Sequence, residues 1–292
     1  MDSANLITTP GTPRGASGPR TRRARPSSWR IFWTATRAGF ADYKSNYSVK
    51  SWTFGWLSRC LMEVAFFGLI GILLQSREVM FYLLIGRGLF LGVSEVMWVI
   101  QSTAWERGTG TLPLLVSSPG RVWPVFAGRS LQWIPSSCLT SLVALLALAP
   151  LFGVRYEWAQ ALVVVVSVIV SVITGYGFAL PLAALVLKAP HLRNLASNIA
   201  HAIMGLVCGV LVPVAFWPLP IQWFASIFPV THSLSALRSA MEASSPGAVL
   251  AAAAPGLITA LILGAFWMVV GALLLERFAE QARRNGSIDL DG

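Results

Sequence analysis

The sequence predicts an all-α integral membrane protein with six transmembrane helices. Three observations predict this fold: the 292-residue chain is 55% hydrophobic, its mean hydropathy is +0.66, and only 12% of its residues are charged. This composition lies outside that of soluble domains. The charged residues gather at the N-terminus and between long apolar segments, which is the pattern of a multi-pass membrane protein.

Residues 1–28 predict a disordered, basic cytoplasmic tail. Pro, Gly, Ser, Thr and Arg dominate this stretch, and it lacks the apolar core of a secretory signal. The formal net charge of the chain is +10. Because much of that charge precedes the first span, the positive-inside rule places the tail in the cytoplasm, and nucleic-acid binding is disfavoured. Contact with anionic lipids is a second role open to such a tail.

Residues 29–50 mix aromatic and basic side chains, and this mixture predicts an N-terminal interfacial amphipathic helix. The alternative is a simple continuation of the tail. Six apolar segments follow, each at least as long as the roughly 20 residues that a crossing needs. Their predicted bounds are 53–74, 79–103, 122–152, 158–187, 195–217 and 249–275.

Basic residues in the loops predict the orientation. The inner loops carry Arg107, Arg121, Lys188, Arg193, Arg277, Arg283 and Arg284, whereas the outer loops carry Arg77, Arg155 and Arg238. Both termini are therefore expected in the cytoplasm, with a transmembrane domain over residues 29–277 and a short cytoplasmic tail over 278–292.

A polar stretch at about residues 104–119 separates the second and third spans. Leu112, Leu115 and Val116 stand at i, i+3 and i+4, which predicts a short amphipathic cytoplasmic helix able to dock a soluble partner.

On the outer side, residues 218–245 are too apolar for an ordinary loop and too interrupted for a span. They predict a pair of re-entrant helices, whose backbone needs protein or a water-filled cavity around it.

Four ionisable residues lie inside the first two spans: Arg59, Glu63, Arg87 and Glu95. The spacing favours an ion pair between Arg59 and Glu63. Arg87 is expected either to pair with Glu95 or to extend toward the interface. The alternative for all four is a polar lining of a transport route.

The sequence predicts no catalytic, metal-binding or cofactor-binding residue. It has no Gly-Lys dipeptide and so no P-loop, and it has neither an HExxH pair nor a GxSxG elbow. The three histidines, His191, His201 and His232, do not converge by spacing. The three cysteines do not form a CxxC pair, so neither a disulfide framework nor a zinc site is predicted.

Several motifs resemble the membrane subunit of type-2 ATP-binding cassette (ABC) exporters, the ABC-2 permeases. They are Glu106, Gly110-Thr111-Leu112, Leu114-Leu115 and Ser118-Pro119, followed by Arg121 and Gly128-Arg129, and the outer Phe228-Pro229-Val230-Thr231-His232 with Arg238. The resemblance covers residues 29–277. Gly108 and Pro113 stand where the family often has acidic residues, and His232 stands where an aromatic residue is commoner.

The resemblance implies a transport subunit that is not itself an enzyme. A separate nucleotide-binding ATPase subunit, carrying ATP and Mg, would dock on the interfacial helix and on the coupling helix, the latter through Glu106, Gly110, Thr111, Leu112 and Leu115. A second permease copy, giving a homodimer, would complete a pathway lined by spans one, two and five. The pathway or gate candidates are Arg59, Glu63, Arg87, Glu95, Pro229, Thr231 and His232. The expected location is the cytoplasmic membrane of a prokaryote.

The function hypothesis is export of a hydrophobic or amphipathic substrate. This substrate is expected to be a drug (an antibiotic, for example), a lipid or a lipid-linked glycan. Short outer loops leave no extracellular domain for capturing a peptide. One alternative is an ion-coupled secondary transporter that uses Glu63 and Glu95. A membrane-embedded enzyme or an accessory scaffold is a second alternative, although the sequence has no convergent catalytic set.

Overall fold

The structure is a computed structural model that describes residues 27–102, 121–188 and 190–285. Within these ranges the chain forms nine helices of eight residues or more and no strand. They are α1 (Ser28–Asn46), α2 (Ser51–Leu73), α3 (Arg77–Ser102), α4 (Trp123–Leu151), α5 (Trp158–Lys188), α6 (Arg193–Val207), α7 (Leu219–Ser226), α8 (Pro229–Glu242) and α9 (Pro246–Asn285). The all-helical prediction is confirmed for these residues.

Local sequence signals explain where the first helices begin. The Ser27 hydroxyl accepts the backbone N–H of Arg30 at 3.4 Å, and the Ser76 hydroxyl accepts that of Val79 at 3.3 Å. A serine in this position satisfies a backbone donor that the first turn of a helix leaves unpaired. Gln75, with φ of 53°, makes the tight reversal between α2 and α3. The Ser76 cap and the turn at Gln75 thus make α2 and α3 a helical hairpin.

Five of the described helices are long and apolar enough to cross a membrane: α2, α3, α4, α5 and α9. The most apolar stretch of α3 is 89% buried, whereas those of α2 and α9 are 22% and 17% buried. Helix α3 is therefore the centre of the bundle, with α2, α4 and α5 packed around it, and α9 packs mainly along α5. The exposed apolar faces of α2 and α9 suit contact with lipid.

The predicted fifth span, residues 195–217, differs from the structure. Helix α6 ends at Val207 after 15 residues, which is about 22 Å and shorter than a bilayer core of about 30 Å. Gly209, with φ of +85°, and Pro213 break the helix there. The six-span count and the re-entrant character of the next segment stay predictions, although that segment does contain two short helices, α7 and α8.

Helix α9 extends beyond the predicted sixth span. Its 40 residues are about 60 Å long, and they continue from the predicted boundary near Leu275 to Asn285. Leu275 and Ala279 are still buried, so α9 remains packed against the bundle for at least one turn past that boundary. Residues 1–26 and 286–292 lie outside the described part of the chain, which leaves out nearly all of the predicted N-terminal tail and about half of the predicted C-terminal one.

We expect Gly71→Ala to destabilise the protein because a Cβ at Gly71 would overlap the backbone of Met80 on α3. Overpacking of this kind costs about 1–3 kcal/mol. The measurement is the thermal unfolding midpoint of the detergent-solubilised protein. Gly247→Ala is the matched control, since no atom lies within 4 Å of its Cβ position. Equal midpoints for the two variants would contradict the close approach of α2 to α3.

Candidate functional site

The α2–α3 hairpin places two ionisable residues at the same depth. Glu63 precedes Gln75 by twelve residues and Arg87 follows it by twelve, so each lies about 18 Å from the turn, near the middle of a bilayer core. The Glu63 carboxylate forms an ion pair with the Arg87 guanidinium. The predicted pairs, Arg59 with Glu63 and Arg87 with Glu95, are therefore wrong.

Burial explains this choice of partner. The Arg87 side chain is 8% exposed and the Glu63 side chain 38% exposed. A buried charge without a partner is much more costly than a partly exposed one, so the arginine that most needs neutralising takes the carboxylate. The side of Glu63 that faces away from Arg87 stays open at the surface of the bundle.

Aromatic rings surround the buried arginine. Its guanidinium carbon lies 4.7 Å from the ring centre of Phe67 and 5.6 Å from that of Phe90. The ring of His201 on α6 lies 5.1 Å from that of Phe90. We name Glu63, Phe67, Arg87, Phe90 and His201 the mid-membrane cluster. Helices α2, α3 and α6 together supply an ion pair, two phenyl rings and an imidazole.

Arg59, a further pathway candidate, lies apart from the mid-membrane cluster. Its guanidinium is 4.9 Å from the ring centre of Trp56, and one of its nitrogens is 3.9 Å from the sulfur of Cys60. Arg59 is therefore held by an aromatic face on its own helix, through a cation–π contact. This contact replaces the carboxylate partner that its spacing predicts.

Glu95 belongs to a second buried polar contact, about 12 Å from Arg87 along α3. The Ser136 hydroxyl of α4 donates a hydrogen bond to the Glu95 carboxylate, and the Trp52 indole of α2 donates to the Ser136 oxygen at 2.9 Å. Tyr43 of α1 lies nearby, and burial raises the pKa of its hydroxyl. This contact joins α2, α3 and α4 in the half of the bundle that is predicted to be cytoplasmic.

Ion coupling through Glu63 and Glu95 has no support in this arrangement. Arg87 neutralises Glu63, and Glu95 lies in a separate contact with a serine hydroxyl. The two carboxylates share neither a partner nor a depth in the bundle.

The turn between α7 and α8 collects the predicted gate residues. The Thr231 hydroxyl donates to the Ala225 carbonyl at 2.6 Å, and the His232 Nε2 lies 2.8 Å from the Ser226 carbonyl. The Trp267 indole of α9 donates to the Ile227 carbonyl at 3.0 Å. Pro229, the third candidate, is buried as the first residue of α8. Side chains thus satisfy three successive carbonyls at the end of α7.

Arg238 connects the irregular segment after α6 to α3. Its guanidinium donates to the Gly209 carbonyl at 2.7 Å and to the Tyr82 carbonyl at 3.2 Å, and it lies 3.5 Å from the Tyr82 ring centre. The Tyr82 hydroxyl donates to the same Gly209 carbonyl at 2.9 Å. Irregular backbone survives at membrane depth only when its polar groups have partners, and Arg238 and Tyr82 are the partners of the Gly209 carbonyl.

Glu276, near the end of α9, contacts the start of α4. Its carboxylate accepts the backbone N–H groups of Val122 at 3.2 Å and of Trp123 at 3.5 Å. A carboxylate is favourable at a helix N-terminus because the backbone N–H groups there are unpaired. Sequence reasoning missed this contact, since nothing in the sequence relates residue 276 to residue 122.

The predicted coupling segment lies outside the described residues. Glu106, Gly110, Thr111, Leu112 and Leu115 all fall between residues 103 and 120. The structure describes both flanks of that segment: α3 ends at Ser102, and α4 begins at Trp123, next to Glu276.

Comparison with protein families gives one match. A family model described as ABC-2 type transporter matches residues 32–241, which is more than half of the chain and reaches from α1 into α8. A comparison with curated proteins found no match.

We expect Glu63→Leu alone to destabilise the protein by about 3–5 kcal/mol, because it leaves the buried Arg87 without a partner. The double variant Glu63→Leu/Arg87→Met should recover most of that loss, since apolar residues of similar volume often replace a buried ion pair without cost. The measurement is the thermal unfolding midpoint in detergent, with the exposed Glu157→Leu as the control. A double variant no more stable than Glu63→Leu would contradict the ion pair.

Proposed function

The chain belongs to the ABC-2 type transporter family, and on that premise we propose that it is the membrane-spanning permease subunit of an exporter for a hydrophobic or amphipathic substrate. A drug, a lipid or a lipid-linked glycan has the required chemistry. Energy would come from a separate ATPase subunit that binds ATP and Mg. A second copy of the permease would complete the pathway.

The mid-membrane cluster is the observation that carries this proposal. It presents the open side of the Glu63 carboxylate at the depth where a translocating molecule needs a polar contact. On the same helix, Met62, Phe66 and Leu69 are exposed apolar side chains. A polar group of the substrate would meet Glu63 and His201, while its apolar body would lie along α2. The cluster lies on α2, α3 and α6, which fall in the segments predicted from the sequence as spans one, two and five.

The contacts around α4 suggest how force from the ATPase would reach this cluster. The proposed docking segment connects α3 to α4. Within the bundle, Glu95 and Ser136 join α3 to α4, and Trp52 adds the start of α2. A push on the segment would move α3 and α4 together and would displace the α2 helix that carries Glu63. This is a rigid-body shift of packed helices, with the α7–α8 turn as the outer gate.

The docking role of residues 104–119 makes a direct prediction. Leu112→Asp and Leu115→Asp should each abolish co-purification of a soluble ATPase, because the sequence predicts that both leucines belong to the apolar side of an amphipathic helix. The measurement is the stoichiometry of ATPase recovered with the tagged permease after mild detergent extraction, which should be near 1:1 for the unmodified protein.

Leu151→Asp is the matched control for docking. Leu151 is exposed at the end of α4, on the side predicted to be outer, so the same substitution there should leave the ATPase bound. Retention of the ATPase by both segment variants would refute docking at residues 104–119. Loss of the ATPase in Leu151→Asp as well would show a general effect on folding.

The double variant Glu63→Leu/Arg87→Met separates transport from stability. If the cluster contacts substrate, this variant should keep its ATPase partner and basal ATPase activity but lose at least about tenfold in substrate-stimulated activity, the equivalent of about 1.4 kcal/mol. The measurement is ATP hydrolysis by the reconstituted complex with and without a panel of amphiphiles. Glu157→Leu should respond normally. Unchanged stimulation in the double variant would exclude the cluster from the pathway.

A further inference from the structure

A cavity of about 340 Å3 opens at the end of the bundle where α3 and α5 begin and α8 ends. We call it the outer cavity, since the basic residues of the loops predict that this end is the outer one. Its volume lies within the range of small-molecule sites, about 300–1,000 Å3. Two acidic and two basic side chains line it: Glu78, Glu242, Arg155 and Arg238. No step of the proposed transport cycle uses this cavity.

Arg238, on the inner wall of the outer cavity, has no carboxylate partner among the described residues. Its guanidinium donates to the carbonyls of Gly209 and Tyr82, which accounts for two of its five N–H groups, and its buried Nε has no hydrogen-bond partner. Backbone carbonyls solvate a cation but do not neutralise it, and a partly buried charge is unfavourable without a counter-ion. The inner wall of the cavity therefore favours an anionic group.

The charge of the outer cavity changes sign with depth. Glu78 lies in the first turn of α3, Tyr82 is about 6 Å deeper and Ile85 about 10 Å deeper. Because Arg238 donates to the Tyr82 carbonyl, its guanidinium lies at the level of Tyr82. Glu242 follows Arg238 by one turn on the same side of α8 and is exposed, as Glu78 is. From the mouth inward, the cavity thus presents carboxylates, then a guanidinium, then an apolar side chain.

Exposed apolar side chains indicate that this end of the bundle lies at the membrane surface. Trp158, the first residue of α5, is 69% exposed, and Leu151, at the end of α4, is 80% exposed. Exposed tryptophan is typical of the membrane–water interface. The mouth of the outer cavity is therefore at the level of lipid headgroups rather than in bulk solvent.

We propose that the outer cavity binds one phospholipid with an ethanolamine headgroup from the outer leaflet. This headgroup carries an ammonium above a phosphate, joined by a short ethylene link, and its acyl chains lie deeper still. The ammonium donates hydrogen bonds to Glu78 and Glu242, and the phosphate binds Arg155 and the free N–H groups of Arg238. The start of an acyl chain lies against Ile85.

Net charge favours this zwitterionic lipid over an anionic one. The two carboxylates and two guanidinium groups of the outer cavity sum to zero, as do the charges of the ethanolamine headgroup. A bound lipid would contact α3, α5 and α8 at once and would neutralise Arg238, which holds the irregular segment after α6. This inference does not depend on the identity of the transported substrate.

The test is lipid retention by the full-length protein, measured by native mass spectrometry after delipidation. The protein is titrated in detergent with the dioleoyl forms of phosphatidylethanolamine, phosphatidylcholine and phosphatidylglycerol. Phosphatidylcholine has the same net charge and phosphate, but its quaternary ammonium has no N–H to donate. Phosphatidylglycerol has the phosphate without an ammonium. We expect stronger retention of phosphatidylethanolamine than of either.

Two conservative variants test the acidic mouth of the outer cavity. Glu78→Gln and Glu242→Gln should each weaken retention of phosphatidylethanolamine about threefold, as expected for a partly exposed ion pair, and the double variant should weaken it about tenfold. Both side chains are exposed, so the fold should be retained, and the thermal unfolding midpoint checks this. Glu157→Gln is the matched control, because Glu157 is exposed at the same end and does not line the cavity.

Three outcomes would overturn the proposal. The first is retention of phosphatidylcholine or phosphatidylglycerol as strong as that of phosphatidylethanolamine. The second is equal weakening by Glu157→Gln and the double variant, which would indicate diffuse attraction to an acidic surface. The third concerns glycerophosphoethanolamine, the headgroup without acyl chains, which should displace the lipid only weakly. Binding as tight as that of the lipid would make the cavity a site for a soluble zwitterion.

Discussion

Polar groups at membrane depth find no water, so the protein itself has to supply a partner for each of them. The contacts of this bundle follow from that constraint. Arg87 forms an ion pair with Glu63. Arg238 and Tyr82 both donate hydrogen bonds to the Gly209 carbonyl, and Thr231 donates one to the Ala225 carbonyl. Each contact joins parts of the chain that hydrophobic packing alone would leave free to slide. These polar contacts therefore fix the register of helices whose surfaces are otherwise interchangeable apolar side chains.

Glu63 differs from the other polar groups in this respect, because it has a partner and is still partly exposed. Glu63 is neutralised on one side by Arg87, yet more than a third of its side chain is exposed. A fully structural ion pair would be expected to lie within the bundle, where packing shields both charges. Partial exposure at this depth is useful where another polar molecule arrives, which is why the transport proposal depends on Glu63 rather than on the more deeply buried Glu95.

Hydropathy predicted most of the helices, because a span of about 20 apolar residues is a one-dimensional signal. The pairing of side chains is not such a one-dimensional signal, because it depends on how the helices pack. The spacing of Arg59 and Glu63 predicted a pair on one helix, but the burial of Arg87 decided the outcome and only the folded bundle determines burial. The sequence did contain a usable signal, since Glu63 and Arg87 are equally distant from the turn at Gln75. The contacts of His201 and Glu276 had no comparable signal, because they depend on how distant helices pack.

The first turns of α4 are where the contacts of three other parts of the molecule meet. Helix α1 is attached through Asp42 and Arg129, helix α9 through Glu276, and the proposed docking segment is joined covalently just before Trp123. Two of these attachments are electrostatic, and they hold α4 at its end rather than along its length. A force applied to the docking segment would therefore meet resistance first at Glu276 and Asp42. If either contact yielded while the Glu95–Ser136 contact held, α3 and α4 would move together as one body, and α3, which carries Arg87, would bring that movement to the mid-membrane cluster. If an ATPase docks there as proposed, the carboxylates of Asp42 and Glu276 would set how readily its movement reaches Glu63, although both bind the start of α4 and not the mid-membrane cluster.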